Sequence, residues 1–277
     1  MDVQELVASL AGPANVRTLS TSGANHVFRI QEETGRTSIV KIYATPARER
    51  RERHALEALE GTLGIPTILE RGIEDSLAWI RMSDGGNWSL ATLSRNLDAI
   101  RRAGSVLRAV HDSGAPITNL DSGIDGEYVH AHFLSTLERL GRFRRRLELP
   151  ADVLDAAKQT GNLPMSGTPR PAHTRPYPRN FLVSDSGGVT LVDWTWATLA
   201  PPEWDLSLAS WRFSREIGAE AVSALREGYG EDAFPDDRID SWKAYHAAMA
   251  MLEAAEQREG RLGDLSYLVT DLSEAVG

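Results

Sequence analysis

The apolar residues change their spacing once along this chain, at Asp84-Gly85-Gly86, and that change narrows the architectures open to it. Before it, short runs with strand character predominate. Val16 to Leu19 and His26 to Ile30 are joined by Ser20-Thr21-Ser22-Gly23-Ala24-Asn25, and Ser38 to Tyr43 follows the turn Glu33-Thr34-Gly35. Ile68 to Ile73 and Leu77 to Met82 complete the set. A helix is predicted over Val3, Leu6, Val7 and Leu10, stopped by Gly12-Pro13, and a charged helix runs from Pro46 to about Glu60-Gly61. After the switch the helical period takes over. Leu93, Leu97, Ile100, Leu107 and Val110 mark one helix, and Phe133, Leu137, Leu140 and Leu147 mark another. Thr160 to Pro171 reads as a loop. Two short strands follow, Phe181 to Val183 and Val189 to Val192, and then helices, the last over about Asp240 to Glu259. The expected fold class is α+β: a small antiparallel sheet lobe, residues 1–83, and a larger mainly helical lobe, residues 84–277.

Two stretches of the second lobe concentrate the polar chemistry. One is His173-Thr174-Arg175-Pro176-Tyr177-Pro178-Arg179-Asn180, followed by an apolar hairpin that ends in Asp193-Trp194. The other is Pro202-Glu203-Trp204-Asp205-Leu206. In this order they resemble the aminoglycoside phosphotransferase and choline kinase-like family, whose catalytic loop reads His, any residue, Asp, four residues, Asn. The resemblance covers residue 15 to at least 255. It implies a two-lobed protein-kinase-like fold with ATP and Mg²⁺ between the lobes. It implies Asn180 and Asp193 as metal ligands, His173, Arg175, Asn180 and Asp193 as catalytic-site residues, and Asp205 as a brace for the loop. In the first lobe it implies that Lys41 holds the nucleotide phosphates, with Glu52 fixing it and Glu49 and Glu57 as rivals. Ser22 and Gly23 would cover the phosphates, and the backbone around Ile80 to Met82 would meet the adenine. Asn and Asp oxygens are hard donors, which suit magnesium on nucleotide phosphates.

The chain departs from the family pattern where it matters most. Arg175 stands where the family has its catalytic Asp. A guanidinium stays protonated and has no acceptor, so Arg175 cannot take a proton from the attacking hydroxyl. General-base help is worth about 10²–10⁴-fold in rate. Three readings follow. The protein is a kinase acting on a hydroxyl of a small molecule or peptide, with His173 or another acid as base, or with Arg175 as a charge clamp. It is a degenerate pseudokinase that binds nucleotide or a protein partner. Or the fold serves another reaction on a phosphate-bearing substrate. A structural alternative pairs Arg175 with Asp193 or Asp205 and leaves it no chemistry.

Composition bears on setting and partners. The net charge is −9, against nucleic acid as the main partner. Apolar residues make up 42%, yet no run approaches the roughly 20 residues that span a bilayer, and no export signal is read, so no membrane partner is expected. There is no cysteine, which excludes disulfides and thiolate chemistry; a cytoplasmic setting is the expectation. The run Arg142, Arg144, Arg145, Arg146 reads first as a solvated helix face.

Overall fold

The computed structural model describes residues 2–20, 25–93, 95–117, 123–159, 163, 165, 168–234, 239–256 and 265–276. Helix α1 (Val3–Ala11) starts at a reciprocal cap, in which Asp2 accepts from the Glu5 amide and Glu5 from the Asp2 amide, both at 2.8 Å. Strands β1 (Asn15–Ser20), β2 (Asn25–Gln31) and β3 (Thr37–Tyr43) precede helix α2 (Pro46–Ala58). Strands β4 (Ile68–Glu74) and β5 (Leu77–Ser83) complete an antiparallel sheet of order β1-β2-β3-β5-β4.

Both faces of this sheet are covered, which explains why β3 is buried at every position after Thr37. Phe28, Ile30, Val40, Ile42 and Trp79 pack beneath Leu6 and Val7 of α1. The opposite face carries Ile39, Tyr43, Ile80 and Met82 into a core shared with the helical lobe. Register places Val27, Lys41 and Ile80 in one cross-strand row and Arg29, Ile39 and Met82 in the next. Both rows face the second lobe, because the alternation along a strand is fixed at two.

Chain leaves the sheet through Asp84–Asn87, and Arg29 fastens that linker. Its guanidinium donates to Asn87 Oδ1 at 2.5 Å and to the Gly86 carbonyl at 2.6 Å, and it pairs with Asp84 at 2.7 Å. Beyond β6 (Trp88–Ser89) come α3 (Leu97–Asp112), α4 (Gly126–Phe143) and α5 (Ala151–Gln159). Short strands β7 (Arg170–Ala172), β8 (Phe181–Val183), β9 (Val189–Leu191) and β10 (Thr198–Ala200) precede helices α6 (Pro202–Glu216), α7 (Ala219–Tyr229), α8 (Lys243–Glu256) and α9 (Ser266–Val276). No helix among the described residues is long and apolar enough to cross a membrane.

Several sequence expectations shift. Leu93 precedes α3, because Asn96 accepts from the Ala99 amide at 3.0 Å and starts the helix there. Leu147 lies past the end of α4 yet stays buried. The predicted loop ends in β7, whose partner is β10; three-residue strands are too short for sequence periodicity to reveal. The final predicted helix is α8, described over Lys243–Glu256 with its expected end near Glu259 outside the described residues, and α9 follows it unforeseen. Its pattern is disguised by Asp271, fully buried between apolar Leu268 and Leu272. Trp211 donates to Asp271 at 3.0 Å, Arg215 pairs with it, and Lys243 lies 3.4 Å away, so the carboxylate is satisfied only in the folded chain. The Arg142–Arg146 run falls at the exposed C-terminal end of α4, where cations suit the helix dipole.

Helices α3 and α7 cross at near contact because both carry glycine there. A Cβ on Gly228 would sit 1.8 Å from the Arg101 carbonyl oxygen, and one on Gly104 2.1 Å from that of Leu225. Gly228→Ala is therefore expected to cost about 1–3 kcal/mol, the usual overpacking range, read as a lowered urea midpoint. A second expectation concerns acid. His246 is buried between Trp211 and Trp242, hydrogen-bonded to Ser207 at 2.7 Å, and burial pushes its pKa down to about 3. The unfolded imidazole gains its proton near pH 6.5 and the folded one refuses it, so stability falls as pH drops from about 6.5 toward 3. Urea titrations at pH 7 and pH 4 should show a smaller acid loss in His246→Gln than in the wild type.

Candidate active site

Lys41 projects from the central strand β3 toward the second lobe and meets two carboxylates. Its Nζ lies 2.6 Å from Glu52 and 2.8 Å from Asp193. Glu49 and Glu52 are the two acids of α2 that face inward, but Glu49 bonds Arg53 at 3.0 Å, as does exposed Glu57. Only Glu52 reaches the lysine among the three rivals. Glu52 also accepts from Thr195 Oγ1 at 2.8 Å and from the Trp194 amide at 3.4 Å. Burial, the largest influence on Lys41, opposes its charge, yet the two carboxylates outweigh it and hold its pKa above the ordinary value. Burial would likewise raise Asp193, but Lys41 beside it holds the carboxyl below the usual range. Asp193 keeps 43% of its side chain exposed, so it faces the opening between the lobes. Its φ of +71° is left-handed, a conformation that a non-glycine residue adopts at a cost and that here turns the carboxylate toward Lys41.

The loop from His173 to Asn180 is held from beneath by Asp205 in the first turn of α6. Asp205 is fully buried and accepts from the His173 and Thr174 amides, both at 2.7 Å. His111, itself bonded to the Tyr229 hydroxyl, reaches the same carboxylate at 3.3 Å. Thr174 has φ +66°, donates from its hydroxyl to the Trp196 carbonyl at 2.9 Å, and accepts from Trp204 at 3.2 Å. Asn180 donates its amide to the Arg175 carbonyl at 2.9 Å, and no hydrogen bond among the described residues uses its Oδ1.

His173 is corrected from a candidate base to a positioning residue. Its ring is buried against Trp194, Nε2 donates to the Val192 carbonyl at 3.0 Å, and Nδ1 accepts from the Arg175 amide at 3.2 Å. Desolvation pushes its pKa down, and no ring nitrogen remains for an acceptor hydroxyl. A second correction concerns Ile80 and Met82. β5 is paired on both sides, with β3 and β4, and both side chains lie in the core, so their backbone belongs to the sheet. The first backbone free of that ladder is the Asp84–Gly86 linker. Ser22 and Gly23 lie outside the described residues.

Arg175 pairs with neither Asp193 nor Asp205, since Lys41 and the loop amides occupy those carboxylates. Its guanidinium rests on the Trp196 ring at 4.9 Å. Sequence reasoning missed Thr195, which bridges Glu52 and Asp193 at 2.8 and 3.3 Å, and the Arg29–Asp84 fastening. Thr195 had one signal, its place two residues past Asp193; Arg29 had none, because its partner is 55 residues away.

A lysine and a carboxylate from different lobes meet beside a loop braced by Asp205, on a two-lobed kinase-like fold. The match to the phosphotransferase enzyme family model spans residues 15–245. The chain belongs to that family. A choline/ethanolamine kinase family protein from Mesorhizobium loti superposes with TM-score 0.68 at 20% identity, covering 99% of this chain and 93% of that one. Choline kinase LicA from Streptococcus pneumoniae gives 0.67 at 18%, covering 98% of each. Spectinomycin phosphotransferase APH(9)-Ia, in complex with ADP and spectinomycin, gives 0.67 at 13%, covering 99% and 94%. No curated protein sequence matches the chain.

Asp205→Ala would orphan two buried backbone N–H groups, each worth about 1–3 kcal/mol. A marked drop in urea midpoint is expected, with Asp205→Asn falling between the two because one acceptor oxygen remains.

Proposed function

We propose that this protein is an ATP-dependent phosphotransferase that moves the γ-phosphoryl group to a hydroxyl of a small molecule or peptide, with a catalytic loop that works without a carboxylate base. The observation that carries this reading is the Lys41–Glu52–Asp193 network, joined across the lobes at 2.6 and 2.8 Å. The complex of a fold relative with ADP and spectinomycin supports the nucleotide part.

Magnesium fits the donors present. Asp193 offers a half-exposed carboxylate, and Asn180 has its amide nitrogen committed and its Oδ1 uncommitted, two hard oxygens with room for phosphate oxygens and water. Bound there, Mg²⁺ would neutralise charge on the transferring group. Lys41 would bind phosphate oxygens while Glu52 keeps it in place. The reaction forms a bond from the acceptor oxygen to the γ-phosphorus and breaks the bond to the β–γ bridging oxygen. In a loose transition state the acceptor proton leaves late, to a phosphoryl oxygen or to water, so a base matters less than charge stabilisation. Arg175, held on Trp196, supplies positive charge beside the loop.

The test is ATP titration with and without magnesium, followed by assay of γ-phosphate loss. Magnesium-dependent turnover in the wild type is expected, and Asp193→Ala should lower it by about 10²-fold or more. Nucleotide binding without turnover, with activity appearing only in Arg175→Asp, would instead assign the chain a degenerate, regulatory role. Absence of nucleotide binding would sink the proposal.

A further inference from the structure

Four guanidinium groups gather around the loop that carries Asn180, and they rest on aromatic rings. Arg175 and, from α2, Arg51 lie over Trp196 at 4.9 and 5.7 Å. Arg179, the residue before Asn180, and Arg212 of α6 lie over Tyr177 at 4.3 and 5.0 Å. Among the described residues Arg175 and Arg179 make no ion pair and no side-chain hydrogen bond. Arg212 approaches Glu216 only at 3.9 Å, and its Nε is buried with no hydrogen-bond partner.

This positive charge stands against the chain as a whole, whose net charge is −9. It is also separate from the nucleotide half of the site. There Lys41 already faces Glu52 and Asp193, an excess of negative charge that suits a divalent cation. A ring beneath a guanidinium orients it without neutralising it. The planar N–H fork stays available, and it matches the oxygens of a carboxylate or phosphate. A cationic acceptor would meet like charge here; an anionic one would meet Arg179, which makes no ion pair among the described residues, and Arg212, whose Glu216 partner is no nearer than 3.9 Å.

We infer that the acceptor is an anion, a hydroxyl compound bearing a phosphate or carboxylate group that Arg179 and Arg212, both lying against Tyr177, hold. The inference rests on the phosphotransferase reading above for the word acceptor, but the anion site itself does not. Arg179 is exposed, so Arg179→Gln should fold. Arg212 is half-buried, and Arg212→Lys keeps its charge while removing the fork.

The test is calorimetric titration of the protein, with and without MgADP, using inorganic phosphate, tricarballylate and choline as separate probes. Phosphate or tricarballylate should bind in both conditions, and which of them binds tells a phosphate-bearing acceptor from a carboxylate-bearing one. Arg179→Gln and Arg212→Lys should each weaken that binding by about tenfold, the loss of a charge-assisted hydrogen bond, while leaving the Kd for MgADP unchanged. The inference is overturned if neither anion binds, if both variants bind it as the wild type does, or if choline binds more tightly than either. Loss of MgADP binding with anion binding intact would count against the phosphotransferase reading alone.

Discussion

The structure hangs on one buried ammonium. Lys41 sits in a strand whose other side chains are core, and its charge is tolerated there because Glu52 and Asp193 face it at 2.6 and 2.8 Å. An ammonium without such partners would lose its proton or the strand would lose its place. The three residues come from β3, from α2 and from the turn after β9, so satisfying one charge also fixes a helix on a sheet and one lobe on the other. Thr195 and the Trp194 amide tie the far end of Glu52 to the same turn. Removing a partner from such a cluster leaves a buried charge uncompensated, which costs more than the intact pair contributes.

A second buried charge does for the loop what Lys41 does for the lobes. Asp205 is sealed from water and gathers the His173 and Thr174 amides and His111. With those bonds in place His173 turns its ring into the core, Asn180 is held against the Arg175 carbonyl, and the arginine is left pointing outward over Trp196. The braced loop therefore holds a guanidinium at position 175, over the Trp196 ring. That substitution exchanges proton acceptance for fixed positive charge. In a loose phosphoryl transfer the first is the smaller loss.

Much of this was legible in the residues. The period change at Asp84–Gly86 coincides with the point where the five-stranded sheet ends, and Lys41 and Asp193, singled out through the family resemblance, do meet at 2.8 Å. What escaped did so for physical reasons. Glu52 was named as the lysine's partner but Glu49 and Glu57 stayed as rivals, because helical spacing says which face an acid is on and not which acid a lysine will reach. His173 looked like a candidate base because a sequence shows a ring and not the carbonyl and amide that occupy its nitrogens. Arg29 and Asp84 are unremarkable alone and meaningful only once β2 lies over the linker. Asp271 interrupts the apolar pattern of α9 and is explained only by Trp211, Arg215 and Lys243, which lie on other helices.

The sequence by itself determined the order of sheet and helices, the polar side chains carried by β3 and by the His173–Asn180 loop, and the absence of a carboxylate at position 175. Those are local properties: periodicity, residue chemistry and spacing along one strand or loop. Only the tertiary structure decided that Arg175 has no ion pair among the described residues, that His173 is sealed, that Glu52 rather than its rivals reaches the lysine, and that Arg179 and Arg212 share one ring. Each of these depends on which charges meet across long stretches of chain. A buried charge is settled by whatever partner the fold brings within about 3 Å, and no residue states its partner in advance.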